Sequence, residues 1–200
     1  MAIIFSLQGC MAVGKTTAVK YVENKISTIY VSYENPLPLL SEIKKRNLQQ
    51  NTLEGFIEIQ KIFINDVVEE YEQLKNKKYV LKDLGAEEIE FFTLFYPKSM
   101  GFNWDVEKYL KAELFELRKC MADHVLFLDA KIETLTKNKE NDLLRKRGSF
   151  EHYSKNMMPL KRNWFFEERN KKPEILLVDG MSIEEVGNSV LMWIKNYIEK

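Results

Sequence analysis

The chain has little of what builds most specialised sites. Its 200 residues include 2 cysteines, 2 histidines and 8 glycines, and 30 basic residues cancel 30 acidic ones to a net charge of zero. Two cysteines exclude a disulfide framework, and no Cys/His cluster has zinc-ligand spacing. Zero net charge excludes a global basic field that would attract a nucleic-acid polymer or an anionic membrane. No apolar run approaches the roughly 20 residues of a membrane span. The first seven residues are too short for a signal h-region and carry no basic n-region. These absences predict reduced thiols at Cys10 and Cys120, no membrane or nucleic-acid partner, and a cytoplasmic location. No internal repeat, low-complexity tract or Gly/Ser linker divides the chain. Because domains run to roughly 100–200 residues, a single domain over residues 1–200 is expected.

The position of the scarce glycines is informative. Gly9 and Gly14 stand five apart and are followed by Lys15 and Thr16, giving Gly9-Cys10-Met11-Ala12-Val13-Gly14-Lys15-Thr16, with Thr17 next. This is the phosphate-binding pattern G-x-x-x-x-G-K-[ST], which requires a strand before it and a helix after it. Residues 3–7 form a short apolar run that reads as a buried strand. Residues 16–24 place Ala18, Val19 and Val22 at helical spacing. The chemistry follows from charge. Backbone N–H dipoles and a helix N-terminus hold a polyphosphate, and the glycines let the backbone wrap around it. Lys15 would reach the β- and γ-phosphates, and the Thr16 hydroxyl would ligate magnesium. The motif therefore predicts ATP and Mg2+ as cofactors. Cys10 lies inside the loop, where a helix N-terminus can lower a thiol pKa; it reads as a small filler residue.

Four more apolar runs, at 29–31, 79–81, 125–128 and 175–178, read as parallel strands covered on both faces. Between them lie helical patterns at 53–74, 106–121 and 182–197, the last opening with Ser182 and Glu185 at capping-box spacing. Five strands alternating with helices predict a doubly wound α/β sheet with five parallel strands. Residues 136–149 are strongly polar and read as an exposed segment, with Gly148-Ser149 opening the next helix. Residues 89–104 are unusually aromatic and broken by Pro97 and Gly101. They read as an irregular segment that either walls a pocket or meets a partner.

Ligands in open α/β sheets sit outside the carboxyl ends of the strands. Those ends carry Glu34-Asn35-Pro36, Asp83-Leu84-Gly85, Asp129-Ala130 and Asp179-Gly180. With the phosphate loop and the basic Arg145-Lys146-Arg147, their order resembles the nucleoside and nucleotide kinase branch of the P-loop proteins, particularly the deoxynucleoside kinases and thymidylate kinase. The resemblance covers most of the chain and implies a three-layer α/β/α sandwich with a lid at about residues 137–149. It implies Glu34 as base toward an acceptor hydroxyl, Asp83 as magnesium ligand or acceptor contact, and Arg145 and Arg147 as lid cations that neutralise the transferring phosphoryl group. It also implies an acceptor site on the helix bearing Phe56, Gln60 and Phe63, with Gln60 similar to the glutamine that deoxynucleoside kinases use for the base.

Each role has a plainer alternative. Glu34 also reads as a solvated loop glutamate, Asp83 as a helix N-cap, residues 137–147 as a solvated charged face, and Phe56 and Phe63 as core. One departure stands out: the family usually has an arginine directly after the acid closing strand three, and here that residue is Leu84. Two functions follow. The first is an ATP-dependent phosphotransferase acting on a nucleoside, nucleotide or similar small acceptor, with a homodimer left open. The second is an ATP-binding switch or weak ATPase, which Leu84 favours. A GTPase is disfavoured because Asn76-Lys77-Lys78-Tyr79 has tyrosine where the guanine motif needs an acid.

Overall fold

The computed structural model describes residues 2–142 and 149–199. Five parallel strands form one sheet: β1 (Ile3–Gly9), β2 (Ile29–Ser32), β3 (Tyr79–Lys82), β4 (His124–Asp129) and β5 (Glu174–Leu177). Their order across the sheet is β2-β3-β1-β4-β5, so β1 is central and the phosphate loop leaves the middle of the sheet. The helices are α1 (Lys15–Glu23), α2 (Leu37–Lys45), α3 (Leu53–Leu74), α4 (Ala86–Ser99), α5 (Val106–Tyr109), α6 (Lys111–Lys119) and α7 (Ile132–Asn141). They continue with α8 (Phe150–His152), α9 (Met158–Asn163) and α10 (Ile183–Ile198). This is the expected three-layer α/β/α sandwich. No helix among the described residues is long and apolar enough to cross a membrane.

Strand alternation sorts the core into layers. Phe5, Leu7, Leu81, Leu126 and Leu128 face α1 and α10. Ile4, Val80, Val125 and Phe127 face the opposite layer, where Phe91, Phe95, Trp164 and Phe165 cover them. Toward the carboxyl end, that second face turns polar: Ser6, Gln8, Ser32 and Lys82 are all buried. Buried polar groups need partners, and α3 and α4 supply them. Lys82 and Ser32 both reach Glu70 of α3, Lys82 at 2.5 Å, and, with its amide oriented to satisfy both ends, Gln8 donates to Glu88 of α4 at 2.9 Å. The fold therefore places its buried polar groups beneath the end where the phosphate loop emerges.

Several sequence expectations change. The aromatic run at 89–104 is not irregular: residues up to Ser99 belong to α4, and Pro97 lies in its last turn. Phe91 and Phe95 fall on the buried face of α4, and the break comes after the helix, at Gly101 (φ 79°). The helix expected over 106–121 is interrupted at Leu110 (φ −112°, ψ 25°), giving α5 and α6. The polar stretch from 136 begins as helix, since α7 extends to Asn141. The run around 175–178 is not covered on both faces. β5 is an edge strand, paired on one side with β4, and it leaves Ile175 and Leu177 more than half exposed among the described residues. The capping box of α10 forms as the spacing requires, with Glu185 N–H donating to Ser182 Oγ at 3.2 Å and Ser182 N–H donating to Glu185 Oε2 at 2.7 Å.

Phe56 is fully buried and stacks on Tyr96 at 5.9 Å and against Trp104 at 5.8 Å. Phe56→Leu should cost about 1–2 kcal/mol of stability by leaving part of the ring volume empty. Urea denaturation measures this, and triphosphate affinity should not change.

Candidate active site

The phosphate loop takes its shape from close approach and positive φ. Gly9 has φ 135°, and a Cβ there would lie 2.2 Å from the backbone oxygen of Leu128 on the neighbouring strand. Gly14 has φ 100° with open space where its Cβ would be, so its requirement is conformational only. Ala12 also takes a left-handed conformation, at φ 66°. Strain at a non-glycine residue is characteristic of loops shaped for a ligand. The loop then opens directly into α1, whose N-terminal N–H groups face the cleft end of the sheet.

Lys15 lies over its own loop, and its ammonium donates to the carbonyls of Gly9 and Cys10, each at 3.1 Å. Burial lowers its pKa below the ordinary lysine value, and repulsion from Lys161 adds to this; Glu88 and Asp83 pull the other way. Carbonyls are neutral acceptors, weaker than phosphate oxygens, so Lys15 has partners it can exchange for a polyanion. Cys10 is buried and its thiol is pushed up by that burial, in line with its reading as a small filler residue.

Thr16 Oγ1 donates to Asp83 Oδ2 at 2.7 Å. The other oxygen, Asp83 Oδ1, is buried and has no hydrogen-bond partner among the described residues. A buried carboxylate oxygen without a donor is costly, and a cation between Asp83 and Thr16 would satisfy it. Magnesium fits this donor set: it binds protein through one or two oxygen ligands and completes its shell with phosphate and water. No group of three or more His, Cys, Asp or Glu side chains forms a self-sufficient metal site among the described residues.

A cleft of about 830 Å³ runs from the loop across the carboxyl ends of β2 and β3. Gly9, Met11, Ala12, Val13, Gly14, Lys15, Thr16 and Thr17 border one end. Glu34, Asp83 and Glu88 also line the cleft, and Gln60, Phe63, Phe92 and Tyr96 line it from α3 and α4. The structure thus brings Lys15, Thr16, Glu34, Asp83, Gln60 and Phe63 to one cleft. It leaves Phe56 in the core behind it, as the plainer reading held. Cys10 is buried beneath the loop and contributes its carbonyl alone to the Lys15 contact. Arg145 and Arg147 lie outside the described residues, as does the stretch 143–148 of the proposed lid; residues 137–141 of that segment belong to α7.

Gln60 is 1% exposed; its Oε1 accepts from Thr93 Oγ1 at 2.8 Å, and its Nε2 has no partner among the described residues. The amide is therefore held by one end and offers the other. Leu84 lines the cleft, so no charge enters at the position where the resemblance expects an arginine.

Sequence reading missed a second cation under the loop. Lys161 of α9 is 1% exposed; it donates to the Gly9 carbonyl at 3.0 Å and to Tyr153 Oη at 3.3 Å, and it pairs with Glu88. Burial opposes its charge, but the Glu88 carboxylate outweighs that and holds its pKa above the ordinary lysine value. A signal was present: Met157, Lys161 and Phe165 recur at intervals of four, which puts a lysine inside an apolar helical stripe. The next residue, Arg162, donates to Asp129 Oδ1 at 2.8 and 3.0 Å and to the Ala130 carbonyl at 2.7 Å, joining α9 to the end of β4.

The sheet order, the strand-loop-helix at β1 and the Lys15-Thr16-Asp83 cluster define a P-loop α/β/α fold. No protein-family model and no curated protein sequence matches the chain. Solved structures do match in fold. Deoxyadenosine kinase from M. mycoides, solved with the products dCMP and dCDP, superposes with a TM-score of 0.66 at 14% identity, covering 97% of this chain and 100% of that one. Thymidylate kinase from Candida albicans superposes with a TM-score of 0.70 at 14% identity, covering 98% and 92% respectively. The likeness extends over nearly the whole chain and is one of fold.

Proposed function

We propose that the chain is an ATP-dependent phosphotransferase that moves the γ-phosphate to a nucleoside, a nucleotide or a similar small hydroxyl or phosphate acceptor. The observation that carries this reading is the continuity of the cleft, which joins a phosphate loop at one end to a buried, half-satisfied amide between aromatic rings at the other. A hydrolase or switch needs the first end; the second suits an acceptor with a flat, hydrogen-bonding ring. The fold shared with two nucleoside and nucleotide kinases supports the same assignment.

In this reading the loop amides and Lys15 hold the triphosphate, and Thr16 and Asp83 hold magnesium. Magnesium, when bound, neutralises charge on the β- and γ-phosphates. Glu34, which lines the same cleft, orients the acceptor hydroxyl and takes its proton. Gln60 donates to the acceptor's ring while Phe63 packs beside it, and Arg145 and Arg147 close over the phosphates from the lid. Phosphoryl transfer needs little covalent help from the protein, so most of the rate comes from this positioning.

The direct test is ADP formation from Mg-ATP with a panel of nucleosides and nucleotides. Turnover that depends on one acceptor class upholds the reading. Slow hydrolysis indifferent to every acceptor would favour the second reading, a nucleotide switch, for which Leu84 is the specific argument. A narrower prediction concerns Gln60. Gln60→Leu removes the ring contact and should raise the acceptor KM by about tenfold or more, since a lost buried hydrogen bond is worth roughly 1–3 kcal/mol. Mg-ATP affinity, measured by calorimetry, should be unchanged.

A further inference from the structure

We propose that Lys161 is a positioning residue for the phosphate loop: by occupying Glu88, it leaves Lys15 free to exchange the loop carbonyls for a triphosphate. This inference rests on the reading of Lys15 as the phosphate ligand.

The geometry sets two lysines around one carbonyl and one carboxylate. Gly9 O accepts from Lys15 at 3.1 Å and from Lys161 at 3.0 Å. Glu88 is paired with Lys161, yet it also attracts Lys15, and Lys161 repels Lys15. Lys161 is held in place. Its side chain is enclosed by Phe91, Tyr153 and Phe165, with its ammonium 5.7–6.0 Å from their ring centres, and it does not line the cleft. Glu88 does line the cleft. With its amide oriented to satisfy both ends, Gln8 donates to Glu88 at 2.9 Å and accepts from the Gly85 N–H at 3.1 Å, so the carboxylate is fixed as well.

A carboxylate in this position needs a cation, because a buried charge without a partner costs several kcal/mol. With Lys161 in place, Lys15 is left with neutral carbonyls, which it surrenders readily to phosphate. The Gly9 carbonyl still has Lys161 as a donor when Lys15 departs. Without Lys161, Glu88 would draw Lys15 into a salt bridge that a triphosphate must first break. Among the described residues, the cations next to Lys161 along the chain pair elsewhere: Arg162 with Asp129 and Ala130, Arg169 with Glu87 at 3.8 Å. Leu84 brings none. The chain has also built α9 unusually, between two π-helical turns at Tyr153–Met157 and Trp164–Glu168. Such turns often mark functional positions in a helix.

The test compares Mg-ATP dissociation constants, measured by calorimetry on the full chain. Lys161→Met should weaken binding by about tenfold or more, the effect of one competing ion pair. Lys161→Met combined with Glu88→Leu removes both charges and should restore binding to within about threefold of the unaltered protein. Lost packing at Lys161 is common to both variants, so recovery in the double variant distinguishes charge competition from structural damage. Unchanged binding in the single variant, or a double variant as weak as the single, would overturn the proposal. If the single variant does not fold, the double variant decides: near-normal affinity upholds the proposal and a tenfold loss sinks it. Lys15→Ala separates the two levels. Normal Mg-ATP binding by Lys15→Ala would remove the underlying site reading. A loss there, with Lys161→Met unaffected, would remove this inference alone.

Discussion

Lys15→Ala should reduce acceptor-dependent ADP formation by about 10²–10³-fold or more, as removal of a preorganised charge at a transferring phosphate does elsewhere. The nucleotide-free protein should remain folded, because Lys15 contributes little to the ground state. It is half-buried at the cleft, it faces another ammonium, and it holds carbonyls 3.1 Å away that Lys161 shares in part. Far-UV dichroism and the unliganded Tm check the fold; loss of the Tm increase on adding Mg-ATP checks binding. Normal turnover in this variant would move the active site away from the loop. The sign of the pH effect also follows. A lysine whose folded pKa lies below its unfolded value makes stability rise with pH between the two, up to the ordinary value of 10.5. That rise should be absent from the Lys15→Ala protein. Mg-ATP affinity in the parent should instead fall as pH rises through the lowered value, because the ammonium is the form that binds phosphate.

Gly9→Ala should be strongly disruptive for the addition of a single methyl group. The added carbon would meet the Leu128 carbonyl oxygen at 2.2 Å, a backbone atom fixed by the β1–β4 pairing, and the residue would hold φ 135°, where side chains are strained. Strain of about 1–3 kcal/mol and overpacking of similar size predict a loss of about 3–5 kcal/mol, read from the urea midpoint. Triphosphate binding should be lost too, since β1 or β4 must shift and carry the loop with it. Gly14→Ala provides the contrast. Its Cβ meets nothing within 4 Å, so only the conformational cost remains, about 1–2 kcal/mol. A Gly9→Ala protein as stable as Gly14→Ala would show that the close approach to Leu128 is not maintained.

The elements most legible in the sequence were those governed by local rules. The loop pattern, the capping box at Ser182 and the five apolar strand runs all depend on spacing along one segment, and each forms where its spacing placed it. Boundaries erred where packing overrode local pattern. Pro97 and Gly101 look like breaks, yet α4 runs through to Ser99 because burying Phe91 and Phe95 against the sheet outweighs one lost helical hydrogen bond. Residues 106–121 carry one continuous periodicity but turn at Leu110.

The site divides in the same way. Lys15, Thr16, Glu34 and Asp83 were readable because they sit at the ends of strands, and in a parallel sheet those ends converge. Gln60 and Phe63 were readable as neighbours on one helix, but their place in the cleft, and the exclusion of Phe56 from it, came from the rotation of α3 against α4. Glu88 and Lys161 were not readable at all as a pair. They are 73 residues apart, on α4 and α9, and although the apolar stripe around Lys161 marks it as inward-facing, nothing along the chain marks Glu88 among the 60 charged residues as its partner.

The sequence by itself determined the phosphate-loop pattern, because two of its eight glycines stand five apart before a lysine, and the parallel sheet, because apolar strand runs alternate with helical patterns. Tertiary structure alone decided which charges are buried together. Ion pairing across a core depends on how helices from distant segments are laid on the sheet, and no periodicity along the chain records that.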